Sequence, residues 1–197
     1  MPYLSSDTPC PEPLDCRILT AALQLFVAKG YHSVSIHEIQ KLADVSIGSI
    51  YKHFGGKEGV AKALYQHLLK ELQICIDEVK EDCASPWQQC LTLIRRLFDY
   101  TESHRDIMAF VFHSKHREYL PEATPLLTTP PFLDIRQMIE SSMAQQEIRQ
   151  MDSTLCMAKI FGCVEQLIQL RLERVIKQPL AQHLEAVTTM LETGLRR

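Results

Sequence analysis

Between Ser35 and Lys57 the chain gathers hydroxyl, imidazole and ammonium groups at spacings that suit an anionic ligand. Ser35 stands three residues before Glu38, a Ser-x-x-Glu capping box, and Ser46 directly precedes the run Ile47-Gly48-Ser49-Ile50-Tyr51-Lys52-His53-Phe54. Each serine marks a helix N-terminus, where its hydroxyl and the free backbone N–H groups can bind phosphate. Gly48 has no side chain, so its helix can approach another surface closely. Lys57 opens the next helix, whose dipole adds to its charge. A plainer reading stands beside each: Ser46 as a cap alone, Tyr51 packed on a preceding helix, His53 simply solvated.

The elements that must position these groups follow from apolar periodicity. Residues 1–13 form a Pro/Ser-rich arm without periodicity, expected to be disordered. Ile18, Ala22, Leu25 and Phe26 recur at helical spacing up to Gly30, a natural stop. A short helix then buries Ile36, Ile39 and Ala43, and Asp44-Val45 make a tight turn. A second short helix buries Ile50 and Phe54, and Gly55-Gly56 break the chain. Two short helices across a tight turn, braced by a preceding helix, make a helix-turn-helix reader over residues 14–56. Ile47, Ser49 and Lys52 then project as base-edge or groove contacts, Ile47 toward a thymine methyl.

A long helix runs from Lys57 to about Asp82, about 40 Å at ~1.5 Å per residue, and links the reader to a second body. Ser85-Pro86 caps a helix carrying Leu91, Ile94, Leu97 and Phe98, and His104 to about Tyr119 forms another. Residues 120–131, with four prolines, read as a loop. Helices follow from Pro131 to about Gln146, from Asp152 to about Ile176 and from Pro179 to Leu195. No strand-like alternation occurs, so the fold class is all-α, with residues 57–197 as the second domain.

The stretch S-I-G-S-I-Y-K-H-F-G-G-K-E (46–58), together with residues 16–62 around it, resembles the DNA-binding domain of TetR-family transcriptional regulators. The resemblance implies that Tyr51 and His53 contact phosphate, that the partner is double-stranded DNA, and that the rest of the chain encloses an effector pocket and a dimer interface. It implies a homodimeric repressor released from a palindromic operator by a small hydrophobic effector. Two positions depart from the pattern. Gln40 replaces a usual Ala and offers a polar or base contact; Asp44 replaces a usual Gly, tolerating the left-handed conformation while placing a carboxylate near DNA.

Charge fits a divided chain. The net −3 splits into +3 from Leu14 to Lys70, −2 before it and −4 after it. The helix from Asp152 is apolar over about half its circumference, broader than one core needs. Together with the last helix it supplies the expected interface residues Val164, Leu167, Ile168, Leu184, Val187 and Leu191; a central helix in a monomeric bundle is the alternative. The expected pocket residues are Phe98, Met108, Phe112, His113, Met138, Met157 and Phe161, a lining suited to an apolar or aromatic molecule.

Other classes find less support. His113 and His116 share a face near Glu118 but lack a third metal ligand in register, and no cofactor is expected. The seven cysteines (10, 16, 75, 83, 90, 156, 163) contain no C-x-x-C and read as free buried thiols, leaving a thiol-based redox-sensing regulator as an alternative. No G-x-S-x-G, H-E-x-x-H or glycine-rich phosphate loop supports an enzyme, and there are only seven glycines. A helical protein-binding scaffold without specific DNA binding is a further alternative. No membrane-length apolar run or secretory signal occurs, so a cytoplasmic chain with no membrane partner is expected.

Overall fold

The computed structural model describes residues 13–113 and 126–196, which are helical throughout apart from turns and connections. The elements are α1 (Pro13–Lys29), α2 (Ile36–Ala43), α3 (Ile47–Phe54), α4 (Lys57–Asp82), α5 (Pro86–Ser103), α6 (Arg105–His113), α7 (Pro130–Ala144), α8 (Ser153–Leu172) and α9 (Leu184–Leu195). Short 3₁₀ turns cover Leu126–Thr128 and Leu180–His183. The expected arm, the loop at 120–125 and the end of the helix toward Tyr119 lie outside the described residues, as do His116 and Glu118.

The chain divides into two compact units, residues 1–71 with 106–123, and residues 72–105 with 124–197. The first is built on Ile18, Ala22, Phe26, Ile39, Ile50, Val60, Ala61 and Leu64, all buried, with Phe110 stacked on Phe26 at 6.2 Å between centroids. Here α1 packs on α2, and α2 on α3. The expected inward residues divide: Ile39, Ala43 and Ile50 are buried, while Ile36 and Phe54 are half-buried.

The second unit packs α5 on α7 and α8 around Trp87, Ile94, Phe98, Ile139, Ile160 and Ile168. Its helix ends show why periodicity overran. The helix expected to reach Ile176 stops at Leu172, because Arg174 adopts a left-handed φ of 63° and the N–H groups of Val175 and Ile176 turn back to the Leu170 carbonyl. Arg171 fixes that turn by donating to the carbonyls of Ile176 and Lys177 while pairing with Glu102. The last helix begins at Leu184 rather than directly after Pro179, since Leu180–His183 wind as a 3₁₀ turn.

Candidate nucleic-acid interface

Two serines build the reader locally. Ser35 Oγ accepts from the Glu38 N–H at 3.2 Å while the Glu38 carboxylate accepts from the Ser35 N–H at 2.8 Å, which closes the capping box. Lys29 adds an ion pair at 2.7 Å, and these partners hold the Glu38 carboxyl well down, to about 2. Ser46 Oγ accepts from the Ser49 N–H at 3.0 Å and lies 2.8 Å from Ser49 Oγ. Both hydroxyls are therefore engaged as caps, and both remain at the surface.

Asp44 ends α2 in the left-handed conformation at φ 52°, with its N–H bonded to the Gln40 carbonyl. Its charge is not left alone. Arg17 of α1 donates through Nη2 to the Asp44 carbonyl and to its carboxylate, the latter at 3.2 Å. The turn and the neutralising cation are thus one feature, and the Gln40 side chain beside it is half-buried.

The outward face of α3 carries Tyr51, 54% exposed, with Lys52, His53 and Gly48 exposed beside it and Ile47 half-buried. A Cβ added at Gly48 would meet nothing closer than Ser46 Oγ at 3.7 Å, so nothing within the chain demands a glycine there. Gly59 is the opposite case, since its Cβ would overlap the Phe54 carbonyl. Only glycine lets α4 start this close to the end of α3, a constraint that sequence reasoning missed.

Two expected contacts change character. Lys57 is half-buried, and its ammonium donates to the carbonyls of Val34 and Tyr31 at 2.8 and 3.0 Å while lying 4.2 Å from the Tyr31 ring centre. It braces the α1–α2 connection instead of standing free as a phosphate cation. His53 is not simply solvated, because its Nδ1 lies 3.0 Å from Oδ1 of Asp15 in the first turn of α1. Neither Asp15 nor Arg17 was legible as part of the site, since each pairs with a residue 27 or more positions away.

The expected pocket residues are dispersed between the units. Phe98, Met138 and Met157 are buried in the second and Phe161 is half-buried there; Met108 is buried in the first and Phe112 half-buried. The side chain of His113 lies outside the described residues. The expected interface is corrected more sharply. Val164, Ile168, Val187 and Leu191 are all at most 5% exposed within the chain itself and have no surface left for a second subunit, while Leu167 and Leu184 are half-buried. The breadth of apolar residues on α8 reflects α5, α7 and the last turn packing around it.

The thiols are also corrected at one position: Cys16 is disulfide-bonded, with its partner outside the described residues. Cys75, Cys83, Cys90, Cys156 and Cys163 are free. Burial pushes the thiols of Cys75, Cys156 and Cys163 up, and that of Cys90 up to about 12, so these sulfurs are poor nucleophiles at neutral pH. Among the described residues no group of three or more His, Cys, Asp or Glu is placed to hold a metal ion, and no helix is long and apolar enough to cross a membrane.

Residues 18–64 match the family model of bacterial regulatory proteins of the tetR family. An uncharacterised helix-turn-helix transcriptional regulator of Bacillus subtilis, YvkB, is 26% identical over 191 residues, spanning 93% of this chain and 97% of that protein. Residues 18–64 thus carry a TetR-family DNA-binding domain. A probable regulator of the same organism, YttP, is 32% identical over 102 residues, covering 49% of this chain and 47% of its own. Among solved structures, the regulator FadR of Bacillus subtilis, crystallised with stearoyl-CoA, superposes with a TM-score of 0.75 at 21% identity, covering 91% of this chain and 98% of that one. A fatty acid metabolism regulator of Clostridium perfringens gives 0.76 at 18%, covering 90% and 97%. At these identities the likeness establishes a shared TetR-type fold. In its DNA-binding domain, its length and its fold the chain is similar to TetR-family transcriptional regulators.

Proposed function

We propose that this chain is a homodimeric repressor that docks α3 of each subunit in a major groove and leaves its operator when a hydrophobic small molecule binds the second unit. The observation that carries the DNA-binding part is the outward face of α3, where Gly48, Tyr51 and Lys52 are exposed and nothing in the chain itself requires a glycine at 48. The paired Ser46 and Ser49 hydroxyls can still accept or donate to a phosphate from the α3 N-terminus, Tyr51 and Lys52 add a phenol and a cation, and Ile47 and Gln40 are the further base-contact candidates. Residues 14–56 act as the reader, and α4 connects it to the effector-binding part.

The dimer is assigned to the outward faces of α8 and α9. Leu155 is 69% exposed and Met190 54%, and Leu155, Ala158 and Gly162 share the outer side of α8. A glycine inside a helix costs roughly 0.5–1 kcal/mol relative to alanine, yet a Cβ at Gly162 would meet nothing within 4 Å. A second backbone approaching there gives that glycine a purpose.

The fold likeness to a regulator crystallised with stearoyl-CoA makes long-chain acyl-CoA the first effector class to test, with Phe98, Met138 and Met157 as the nearest apolar candidates for the acyl chain. The coupling needed is modest, ~1–3 kcal/mol between effector and DNA sites. The test is an anisotropy titration of the protein on the DNA upstream of its own gene, with and without saturating acyl-CoA. The proposal expects a 5- to 150-fold loss of affinity, about what that coupling gives; equal affinity in both arms removes acyl-CoA as the effector.

A further inference from the structure

We propose that Arg136 on α7 anchors the anionic end of the effector, so that the second unit selects an amphiphile carrying a carboxylate or phosphate over an uncharged apolar molecule. This rests on the proposed hydrophobic effector and adds to it a charge and the residue that recognises it.

A guanidinium is a permanent cation with five donors, so an arginine taken partly out of water needs acceptors. The half-buried arginines of the second unit are Arg96, Arg105, Arg136 and Arg171. Arg96 holds Glu78 and Asp82 at 2.6 and 2.7 Å. Arg105 donates to the carbonyls of Arg171 and Leu172, and Arg171 pairs with Glu102 at 2.7 Å. Arg136 is the exception. It makes no hydrogen bond or ion pair among the described residues, and its Nε is shut off from solvent as well. The acids of its own helix are committed elsewhere: Asp134 to Lys80 and Gln73, Glu140 to Ser153. A buried donor without an acceptor is rare in a folded chain and calls for a partner from outside it.

Which donor is free says what that partner is. A guanidinium takes a carboxylate or a phosphate side-on through Nε and one Nη, in two parallel N–H···O bonds. In Arg136 that edge includes the atom that solvent does not reach, so its acceptor must come from a molecule that enters the unit. The surroundings on α7 are apolar. Phe132, Ile139 and Met143 stand four before, three after and seven after Arg136 and share its side of the helix; Phe132 is half-buried and the other two are buried. Leu133, three residues before Arg136, is 47% exposed, and the 3₁₀ turn packed on α7 exposes Leu126 and Leu127 at 41% and 49%. Apolar side chains left open on and beside the helix that carries an unpaired, partly desolvated cation match a molecule with an apolar chain and an anionic end.

The test titrates the full chain by calorimetry with dodecanoate, dodecanoyl-CoA and uncharged dodecanol, each below its micelle-forming concentration. The proteins are the wild type, Arg136→Met, Arg136→Lys and Arg95→Met, the last an exposed arginine of the same unit. The wild type should bind at least one of the anions roughly 10- to 100-fold more tightly than dodecanol, as hydrogen bonds to a charged group allow. Arg136→Met should erase that preference and leave dodecanol affinity as it was. Arg136→Lys, which keeps the charge and so keeps the test usable if methionine costs folding, should retain only part of it, because an ammonium lacks the fork. Arg95→Met should match the wild type. A preference for dodecanoate alone assigns the carboxylate as the group bound, and one for dodecanoyl-CoA alone assigns the phosphates. Equal binding of dodecanol and both anions by the wild type, or a preference that survives both Arg136 variants in full, overturns the anchor while the apolar site stands. Failure of the wild type to bind any of the three removes the hydrophobic-effector reading and the anchor with it.

Discussion

Arg17, in the first turns of α1, donates to both the backbone carbonyl and the carboxylate of Asp44, the left-handed residue at the tip of the helix-turn-helix. If α3 reads DNA as proposed, this acid of the turn is already paired before DNA arrives. Both side chains are largely exposed, so the pair contributes at most about 1 kcal/mol to folding. Its larger effect is electrostatic. Arg17→Ala should leave the urea midpoint almost unchanged yet weaken DNA binding several-fold, and adding Asp44→Gly should restore most of that loss. An Arg17→Ala defect that Asp44→Gly does not relieve would mean that Arg17 itself contacts phosphate.

Gly59 sets the approach of α4 to α3. Because a Cβ there would overlap the Phe54 carbonyl, and backbone cannot swing aside as a side-chain tip can, Gly59→Ala should destabilise the first unit by about 1–3 kcal/mol or more. Gly48→Ala, where the nearest atom is 3.7 Å away, should leave stability unchanged or slightly raised while weakening DNA binding. Thermal melts of the two variants, read beside their anisotropy titrations, separate a packing glycine from an interface glycine.

The outward faces of α8 and α9 give a prediction about assembly. Leu155→Glu and Gly162→Arg place charge where Leu155 is now 69% exposed and Gly162 faces open space, so neither should unfold the chain. Both should shift a dimer toward monomer in sedimentation velocity. Val164→Ala should do the reverse, costing roughly 1.5–3 kcal/mol of core packing with assembly unchanged. Dimers that survive both surface changes would place the interface elsewhere.

The capping box has a defined pH window. The Glu38 carboxyl, held to about 2 chiefly by Lys29 and then by Ser35, is lower in the folded chain than its ordinary value of 4.5. Its contribution is therefore complete above pH 4.5 and lost as pH falls toward 2. Helix α2 should lose amide-exchange protection across that interval, and Glu38→Gln should remove most of that dependence. Ser35→Ala should cost about 1 kcal/mol at neutral pH, as loss of a helix cap generally does.

What could be seen in the sequence was local. The Ser35–Glu38 box, the Ser46 cap, the left-handed tolerance of Asp44 and the start of α4 at Lys57 each depend on residues within four positions, and each stands where spacing placed it. The pairs Asp15–His53 and Arg17–Asp44 were not legible, because nothing in a one-dimensional pattern brings α1 against the turn with those side chains in contact. Lys57 was misread for the same reason: its position at a helix N-terminus is visible, but the two carbonyls that capture it are more than twenty residues upstream. On α8, periodicity reported an apolar surface correctly but not what covers it. Val164 and Ile168 are buried within the chain, while the small residues Ala158 and Gly162 remain outside.

The central claim is that the exposed face of α3 reads DNA, and the most direct measurement is anisotropy of the wild type, Tyr51→Ala and Lys52→Ala on the chain's own upstream DNA and on a scrambled duplex, titrated in salt. The account predicts selective wild-type binding that weakens steeply with ionic strength, and weaker binding by both variants at unchanged thermal stability. It also predicts a salt slope shallower by about 1 for Lys52→Ala. Wild-type affinity retained by both variants, or binding that ignores salt, would contradict it.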